Sequence, residues 1–444
     1  MISEEPKIHV GILDRCREVR GRLNGSFLVN GCLFSDSAFR AETSGGDLIL
    51  TLLSKNEVVR GGEIRCVSSG DATFTLSDVT IGVRFHWERK EDQVFQGSLL
   101  LLARKDGTVT AVNETGLESY LASVISSEMN PGAPMELLKA HAVTSRSWLV
   151  SMLERAPEGK QPAGMTSGMI EREGERLRWY GREDHDLFDV CADDHCQRYQ
   201  GITKIIPERA ARAVEETRGV FLTHRNEICD ARYHKACGGI TEDFQNVWEN
   251  RAVPYLSSVP DSPVRHPPVR SEEDAERWIL SRPHAWCRAG DAHVLSRILP
   301  SFDQETVDFF RWKVTYDRQE LEAILKEKSG IDFGVLQRLV PLERGPSGRI
   351  VRLKIEGSKA NWVVGKELEI RRWLSRSHLL SSAFVVSVER DASGTAARFI
   401  LSGAGWGHGV GLCQIGAAMM AEEGFKAEDI LKHYFLGAEL KKLY

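Results

Sequence analysis

The sequence predicts a mixed α+β fold with a β-rich N-terminal part, on three observations. From Lys7 to about Val112, short apolar runs are separated by Gly, Asn and Asp, as in Ile8-His-Val-Gly-Ile-Leu, Ser26-Phe-Leu-Val, Asp47-Leu-Ile-Leu-Thr-Leu-Leu and Gly97-Ser-Leu-Leu-Leu-Leu, a pattern of strands and turns. At Leu117 the period changes to 3.6, with Leu117, Tyr120, Leu121, Val124 and Ile125 on one helical face. Near the end, an apolar run from Ala397 to Leu401 leads into Gly403-Ala-Gly-Trp-Gly-His-Gly-Val-Gly411, and a helical pattern from about Ala417 to His433 follows.

The elements follow in order. The helix starting at Leu117 is expected to stop at Asn130-Pro131-Gly132, which leaves Glu128 at its C-terminal end. A second helix begins at Pro134 and carries Leu137, Leu138, Ala142, Val143, Trp148 and Leu149 to about Leu153. Residues 156–184 are rich in Gly, Glu, Arg and Pro and read as a surface excursion. A third helix, Pro207 to Thr217, ends at Gly219 and precedes strand-like Val220-Phe-Leu-Thr and Ile228 to Ala236. Ser271 to Leu339 mixes helix, as in Gln319 to Lys328, with the alternating run Phe310-Arg-Trp-Lys-Val-Thr-Tyr. Ile350 to Ile355 and Trp362 to Leu368 read as a hairpin after Gly345-Pro-Ser-Gly.

Composition bounds the function. At 444 residues the chain can hold two or three domains, or one large core with insertions. A net charge of -5 with 27% charged residues supplies no basic excess for a phosphate backbone, which argues against nucleic acid as a partner. No apolar run approaches the ~18 residues of a membrane span, and Met1-Ile-Ser-Glu-Glu-Pro-Lys lacks the basic and apolar regions of an export signal. Nine cysteines are odd in number and too sparse for a disulfide framework, so buried thiols and metal ligands are expected among them.

Four segments are candidates for chemistry. Glu128 at a helix C-terminus faces the negative end of the macrodipole, which favours the protonated form that a general acid needs; a solvated helix-end Glu is the plainer alternative. His185, Cys191, His195 and Cys196 offer two thiolates and two imidazoles within twelve residues, the donor set zinc prefers in closed tetrahedral sites, against buried cysteine and surface histidine. In Ala231-Arg-Tyr-His-Lys-Ala-Cys-Gly-Gly-Ile-Thr241, Tyr233 and Lys235 share one strand face and Arg232 and His234 the other, a polar strand end suited to sugar hydroxyls or to an edge guarded by charge. Cys237 with His234 also allows a cysteine nucleophile, although no third orienting group is evident. Finally, the glycine loop around Trp406 and His408 fails the dinucleotide fingerprint, because Val410 stands where the third glycine belongs, and a tight turn is the alternative.

Taken together, these segments resemble the SpoIID/LytB family of sporulation and cell-wall proteins. The resemblance runs over Leu117-Glu-Ser-Tyr-Leu-Ala-Ser-Val-Ile-Ser-Ser-Glu-Met129, Leu137-Leu-Lys-Ala-His-Ala-Val-Thr-Ser-Arg-Ser147, Tyr233 to Thr241, Pro254-Tyr-Leu256, Gly348-Arg-Ile350 and Gly405-Trp-Gly-His-Gly-Val-Gly411. It covers the chain from about residue 85 to the C-terminus, so residues 1–84 are expected to form an N-terminal β-rich region and 85–444 a SpoIID-like catalytic domain with an insertion at about 271–339 and a substrate cleft lined by Glu128, the Tyr233 to Thr241 strand and the Trp406/His408 loop. The resemblance implies a lytic transglycosylase acting on peptidoglycan glycan strands, expectedly peptide-free ones, with Glu128 as catalytic acid/base. It implies substrate contacts among Arg146, Tyr233, His234, Lys235, Thr241, His408 and Gln414, with holding the fold as the alternative for several of them; Arg146, on the second helix, is placed to face the surroundings of Glu128, where a cation would lower its pKa, and its role stays open. Some members with a matching loop bind zinc, which implies a structural zinc on His185, Cys191, His195 and Cys196. The rival implied by the same family is a non-catalytic glycan-binding protein that enhances a cell-wall amidase; a zinc hydrolase is a third class. The chain departs from the family pattern at His141, where Gln is frequent, and at Cys237 and Cys413, where small polar residues or Ser are common. The sequence itself leaves localisation open: the family's substrate implies the cell envelope, but no export signal is visible, so the alternatives are an incomplete start, an unconventional export route or work on intracellular wall fragments.

Overall fold

The structure is a computed structural model that describes residues 2–54, 56–82, 88–130, 132–154, 168–180, 185–193, 195–203, 208–289, 291–300, 304 and 306–444. It is a β-rich α+β fold, with 24 strands and nine α-helices among the described residues.

The N-terminal apolar runs assemble into one large sheet. Its order is Val190–Cys191, Lys7–Cys16, Val109–Gly116, Ser98–Ala103, Glu63–Ser68, Glu18–Val29, Cys32–Ser44, Asp47–Leu52 and Glu57–Gly61, and Thr73–Ile81 pairs with both Glu18–Val29 and Arg89–Gln96. Alternation along Asp47–Leu52 places Leu48, Leu50 and Leu52 inside, as a half-buried strand requires. The sheet holds strands from both sides of the boundary expected after residue 84; that boundary adjoins residues 83–87, which lie outside the described residues.

Helix α1 (Leu117–Glu128) leaves the last long strand of this sheet directly, and α2 (Met135–Glu154) follows after a short turn in which Pro131 lies outside the described residues. From Leu137 to Ser151 nearly every α2 residue is buried, so this helix runs through the interior rather than over a surface. Both helices share a core with sheet residues such as Leu99 and Leu101 and with Ile430 and Leu431 near the C-terminus. A second core, built on Trp312, Leu321, Leu353, Trp373 and Phe399, lies between the sheet of Arg311–Asp317, Ala396–Ala404 and Phe384–Arg390 and the strands Leu336–Arg344 and Ile350–Gly357.

Several expectations need correction. The span 156–184 is not wholly irregular: Met169–Arg172 and Glu175–Arg178 form a hairpin, and Glu175–Arg178 adds in parallel to Asn361–Gly365, while 155–167 and 181–184 lie outside the described residues. Asn361–Gly365 pairs with Ile350–Gly357 as expected, but a helix, Glu367–Trp373, begins where the strand was expected to run to Leu368. The single C-terminal helix is two, Gln414–Glu422 and Ala427–Tyr434, interrupted at Gly424 with φ 96°. The run expected from Ile228 to Ala236 is not one continuous strand: it pairs as the short strands Glu227–Ile228 and Tyr233–His234 and as a single bridge at Ala236. The third helix spans Glu208–Glu216, and Pro207 lies outside the described residues.

Candidate active site

Glu128 is the last residue of α1, and the turn after it is pinned. Met129 is buried and its N–H returns to the Ile125 carbonyl, while the Asn130 N–H donates to the Ile298 carbonyl at 2.9 Å. The Glu128 side chain retains 8% of its exposure, so it borders solvent without being free in it. Two donors face the carboxylate at 3.5 Å, the outer limit of a hydrogen bond: the Tyr233 hydroxyl toward Oε1 and the Gln414 amide toward Oε2.

Tyr233 and Gln414 are brought to Glu128 by one construction. The Tyr233–His234 strand pairs in parallel with Leu412–Cys413, and Gln414 opens the following helix. The glycine loop makes this pairing close. Gly411 has φ 76°, and a Cβ there would stand 2.2 Å from the Arg232 carbonyl; at Gly409, φ 84°, it would stand 2.5 Å from Cζ of the buried Arg349. The loop is therefore a backbone-to-backbone packing device. Arg349 locks it by donating to the Cys237 carbonyl (3.1 Å) and the Gly407 carbonyl (3.0 Å).

His408 serves the same construction. Its Nδ1 accepts the Val410 N–H at 3.1 Å, which leaves Nε2–H to donate to the Tyr233 carbonyl at 2.9 Å. An acceptor Nδ1 requires the neutral ring, and burial together with His234 and nearby arginines holds its pKa well below the ordinary value. His408 thus positions the backbone of Tyr233. Trp406 bridges Ala236 through two backbone hydrogen bonds and packs on Phe309.

A residue outside the expected site completes it. His141, on α2 and fully buried, accepts the Gln414 amide on Nε2 at 2.9 Å, so Nδ1–H faces the Ser145 hydroxyl at 3.3 Å. Burial pushes its pKa down to about 4, against the opposing pull of Glu128. Its ring packs 4.5 Å from that of Tyr233. Neutral His141 therefore orients both groups that face Glu128. Its sequence signal is an imidazole amid the apolar pattern of α2, four residues before Ser145.

The remaining expected contacts fall elsewhere or hold the fold. Arg146 is fully buried and turned to Glu118, with Nε at 3.0 Å from Oε1 and Nη2 at 2.6 Å from Oε2; it also donates to the carbonyls of Val220 and Val214. It cannot reach a ligand, because its donors close the junction of α1, α2 and the Glu208–Glu216 helix. Thr241 is buried and exchanges hydrogen bonds with the Val259 backbone. His234 donates Nδ1–H to the Val410 carbonyl and leaves Nε2 buried without a hydrogen bond. Burial and Arg349 push its pKa down to about 3, and Cys237 turns instead toward Cys287, with sulfurs 3.5 Å apart. Lys235 is half-buried and lies close enough to His141 to oppose its protonation.

His185, Cys191, His195 and Cys196 converge in one loop, their ligand atoms all within 4.8 Å of one another. His185 Nε2 is 3.3 Å from Cys196 Sγ, and His195 Nδ1 is 3.4 Å from Cys196 Sγ and 3.7 Å from Cys191 Sγ. Hydrogen bonding from Cys196 and both imidazoles moves the Cys191 thiol toward its thiolate form. Two imidazoles and two thiols at these separations suit one tetrahedral ion. The cluster is carried beside the large sheet, since Val190–Cys191 pairs with Lys7–Cys16.

Among the described residues no helix is long and apolar enough to cross a membrane. Residues 105–224 match the family model described as Stage II sporulation protein (SpoIID), and residues 242–411 match one described as Domain of unknown function (DUF8618). The chain is 25% identical over 347 residues to an uncharacterized protein of Brachyspira hyodysenteriae (strain ATCC 49526 / WA1), covering 78% of this chain and 72% of that protein. It is 24% identical over 333 residues to Stage II sporulation protein D of Bacillus amyloliquefaciens, covering 75% and 76%. It is 26% identical over 245 residues to the Amidase enhancer of Bacillus subtilis (strain 168), covering 52% of this chain but 32% of that protein. Glu128 and His141 both lie inside the stretch 105–224 that matches the Stage II sporulation protein family model, and the chain is similar over most of its length to Stage II sporulation protein D and over about half of it to the amidase enhancer.

Proposed function

We propose that this protein acts at the cell envelope as a lytic transglycosylase, cleaving the bond between N-acetylmuramic acid and N-acetylglucosamine in peptidoglycan glycan strands. The observation that carries this reading is the Glu128 carboxylate at the rim of a buried polar set, faced by the Tyr233 hydroxyl and the Gln414 amide at 3.5 Å each. In the first step Glu128, protonated, gives its proton to the glycosidic oxygen as the C1–O bond breaks through an oxocarbenium-like transition state. The muramoyl 6-hydroxyl then attacks C1 and returns its proton to the Glu128 carboxylate, closing a 1,6-anhydro ring. Neither water nor a second carboxylate enters, so one acid/base suffices. Tyr233 and Gln414 steady the carboxylate in each state, and neutral His141 holds both partners in place. Arg146, Thr241 and His408 act through the fold in this scheme, whereas Lys235 and Tyr233 face the glycan.

The cluster of His185, Cys191, His195 and Cys196 fits a zinc ion by donor type and separation. Four protein ligands leave no open position, so bound zinc would brace the loop against the sheet and supply no catalytic step.

A second reading has its own support in the similarity to the amidase enhancer: the same Glu128 site binds glycan without cutting it and assists a cell-wall amidase. Mass spectrometry of peptide-free glycan strands incubated with wild type and with Glu128→Gln separates the two. Anhydromuramoyl ends from wild type, reduced at least ~100-fold in the variant while glycan binding persists, are the expected result. Intact strands with a wild type that binds them would overturn cleavage in favour of the enhancer.

A further inference from the structure

A second group of ligand-type side chains lies outside the cluster described above. Cys237, Asp261, Cys287 and Cys413 come from four segments far apart in the sequence, and their ligand atoms all lie within 4.8 Å of one another. All four are essentially inaccessible, with Cys237 the most exposed at 2%. We propose that these residues form a closed, structural metal site with three cysteine ligands and one aspartate, suited to zinc.

Geometry is the first support. A tetrahedral ion with metal–sulfur bonds of ~2.3 Å sets its sulfurs ~3.8 Å apart, and Cys237 Sγ and Cys287 Sγ stand 3.5 Å apart as free thiols. An iron–sulfur cluster holds its cysteines farther apart, so the compactness suits a single ion. The surroundings are the second support. Backbone N–H groups point at the sulfurs: Gly239 at Cys237 (3.3 Å), Cys237 at Cys413 (3.3 Å) and Gly416 at Cys413 (3.4 Å). Cys413 caps the Gln414–Glu422 helix, where the helix N-terminus favours thiolate.

The carboxylate is oriented in the way a ligand is. Asp261 Oδ1 accepts the Tyr434 hydroxyl at 2.5 Å and Oδ2 accepts the Cys287 N–H at 2.8 Å, contacts that fix the plane of the carboxylate. The neighbouring cation, Arg311, gives its donors to the carbonyls of Gly238, Phe310, Trp278 and Ser281. Three thiolates and a carboxylate around zinc carry the same net charge as a site of four thiolates, a common structural form. Without a cation, ionised ligands crowded out of water would be strongly disfavoured.

The position gives the ion a task. Cys413 immediately precedes Gln414, and Cys237 lies four residues after Tyr233, so one ion would tie together the two segments that face Glu128. Cys287 would anchor the 271–339 tract to the same point.

Zinc per chain is measured on the full protein purified under reducing conditions, for wild type and for His185→Ala/His195→Ala, which disables the other cluster. One equivalent retained in the double variant, replaceable by cobalt(II) with a thiolate-to-cobalt charge-transfer band, is expected; no zinc and no band overturns the site. If that variant does not fold, Cys287→Ser in the intact chain decides: zinc falls by one equivalent if the site exists, and an unchanged content overturns it.

Discussion

Replacing Arg146 tests whether the structure assigns this residue correctly. Its guanidinium makes two hydrogen bonds to Glu118 and two to carbonyls, with no exposure of its own. In Arg146→Met the Glu118 carboxylate keeps the Gly219 N–H (3.2 Å) and the Tyr444 hydroxyl (2.6 Å) but loses its counter-charge, and the Val214 and Val220 carbonyls lose a donor. Removing one partner of a buried pair costs about 3–5 kcal/mol. Urea unfolding should show a loss of that size for Arg146→Met. Adding Glu118→Gln should restore part of it, because the neutral amide no longer needs a cation; a coupling of about 1–3 kcal/mol is expected for residues in direct contact. Glycan binding by the folded fraction should match wild type. An Arg146→Met protein that unfolds like wild type yet loses glycan binding would refute this placement and return Arg146 to the Glu128 site.

Two further outcomes follow from the site. His141 and His408 are buried neutral, with His141 pushed down to about 4 and His408 well below its ordinary value. The unfolded chain protonates them near pH 6.5, so it binds more protons between there and about pH 4; the stability is fully present above that window and falls as pH drops through it. Each histidine adds up to ~1.4 kcal/mol per pH unit to the slope, so His141→Gln should flatten the acid loss in urea titrations, and an unchanged slope would show that His141 is not held neutral. Gly409→Ala places a methyl 2.5 Å from Arg349 Cζ at φ 84°, a strain of about 1–3 kcal/mol that also displaces Arg349 from the loop. Lower stability and weaker glycan binding are expected by calorimetry and pull-down; a wild-type melting profile would mean the loop has room.

Legibility in the sequence followed the range of the interactions concerned. Helix α1 and its end at Glu128 were readable because a 3.6 period and a Pro/Gly stop are local, and so were the strands that alternate strictly. The two C-terminal helices read as one because Gly424 is tolerated within a helical pattern, and only packing decides whether it continues. The Met169–Arg172 and Glu175–Arg178 hairpin is not legible because its few apolar residues, Met169, Ile170 and Leu177, stand among charged ones without alternation, and it owes its place to pairing with a strand nearly two hundred residues later. His141 was visible as a departure from pattern, but its task required knowing that Gln414 arrives beside it.

Local patterning was enough for the fold class, the helix that ends at Glu128, the compact His185–Cys196 donor set and the resemblance that the family match bears out. These rest on period, turn chemistry and short spacing, which neighbouring residues impose on one another. Which charged and polar groups meet was settled only by packing: Arg146 answers Glu118 and not Glu128, His141 and Gln414 share a hydrogen bond, and Cys237, Asp261, Cys287 and Cys413 converge. The physical reason is that burial makes such contacts obligatory only once distant segments have excluded water together, and no local pattern records which segments those are.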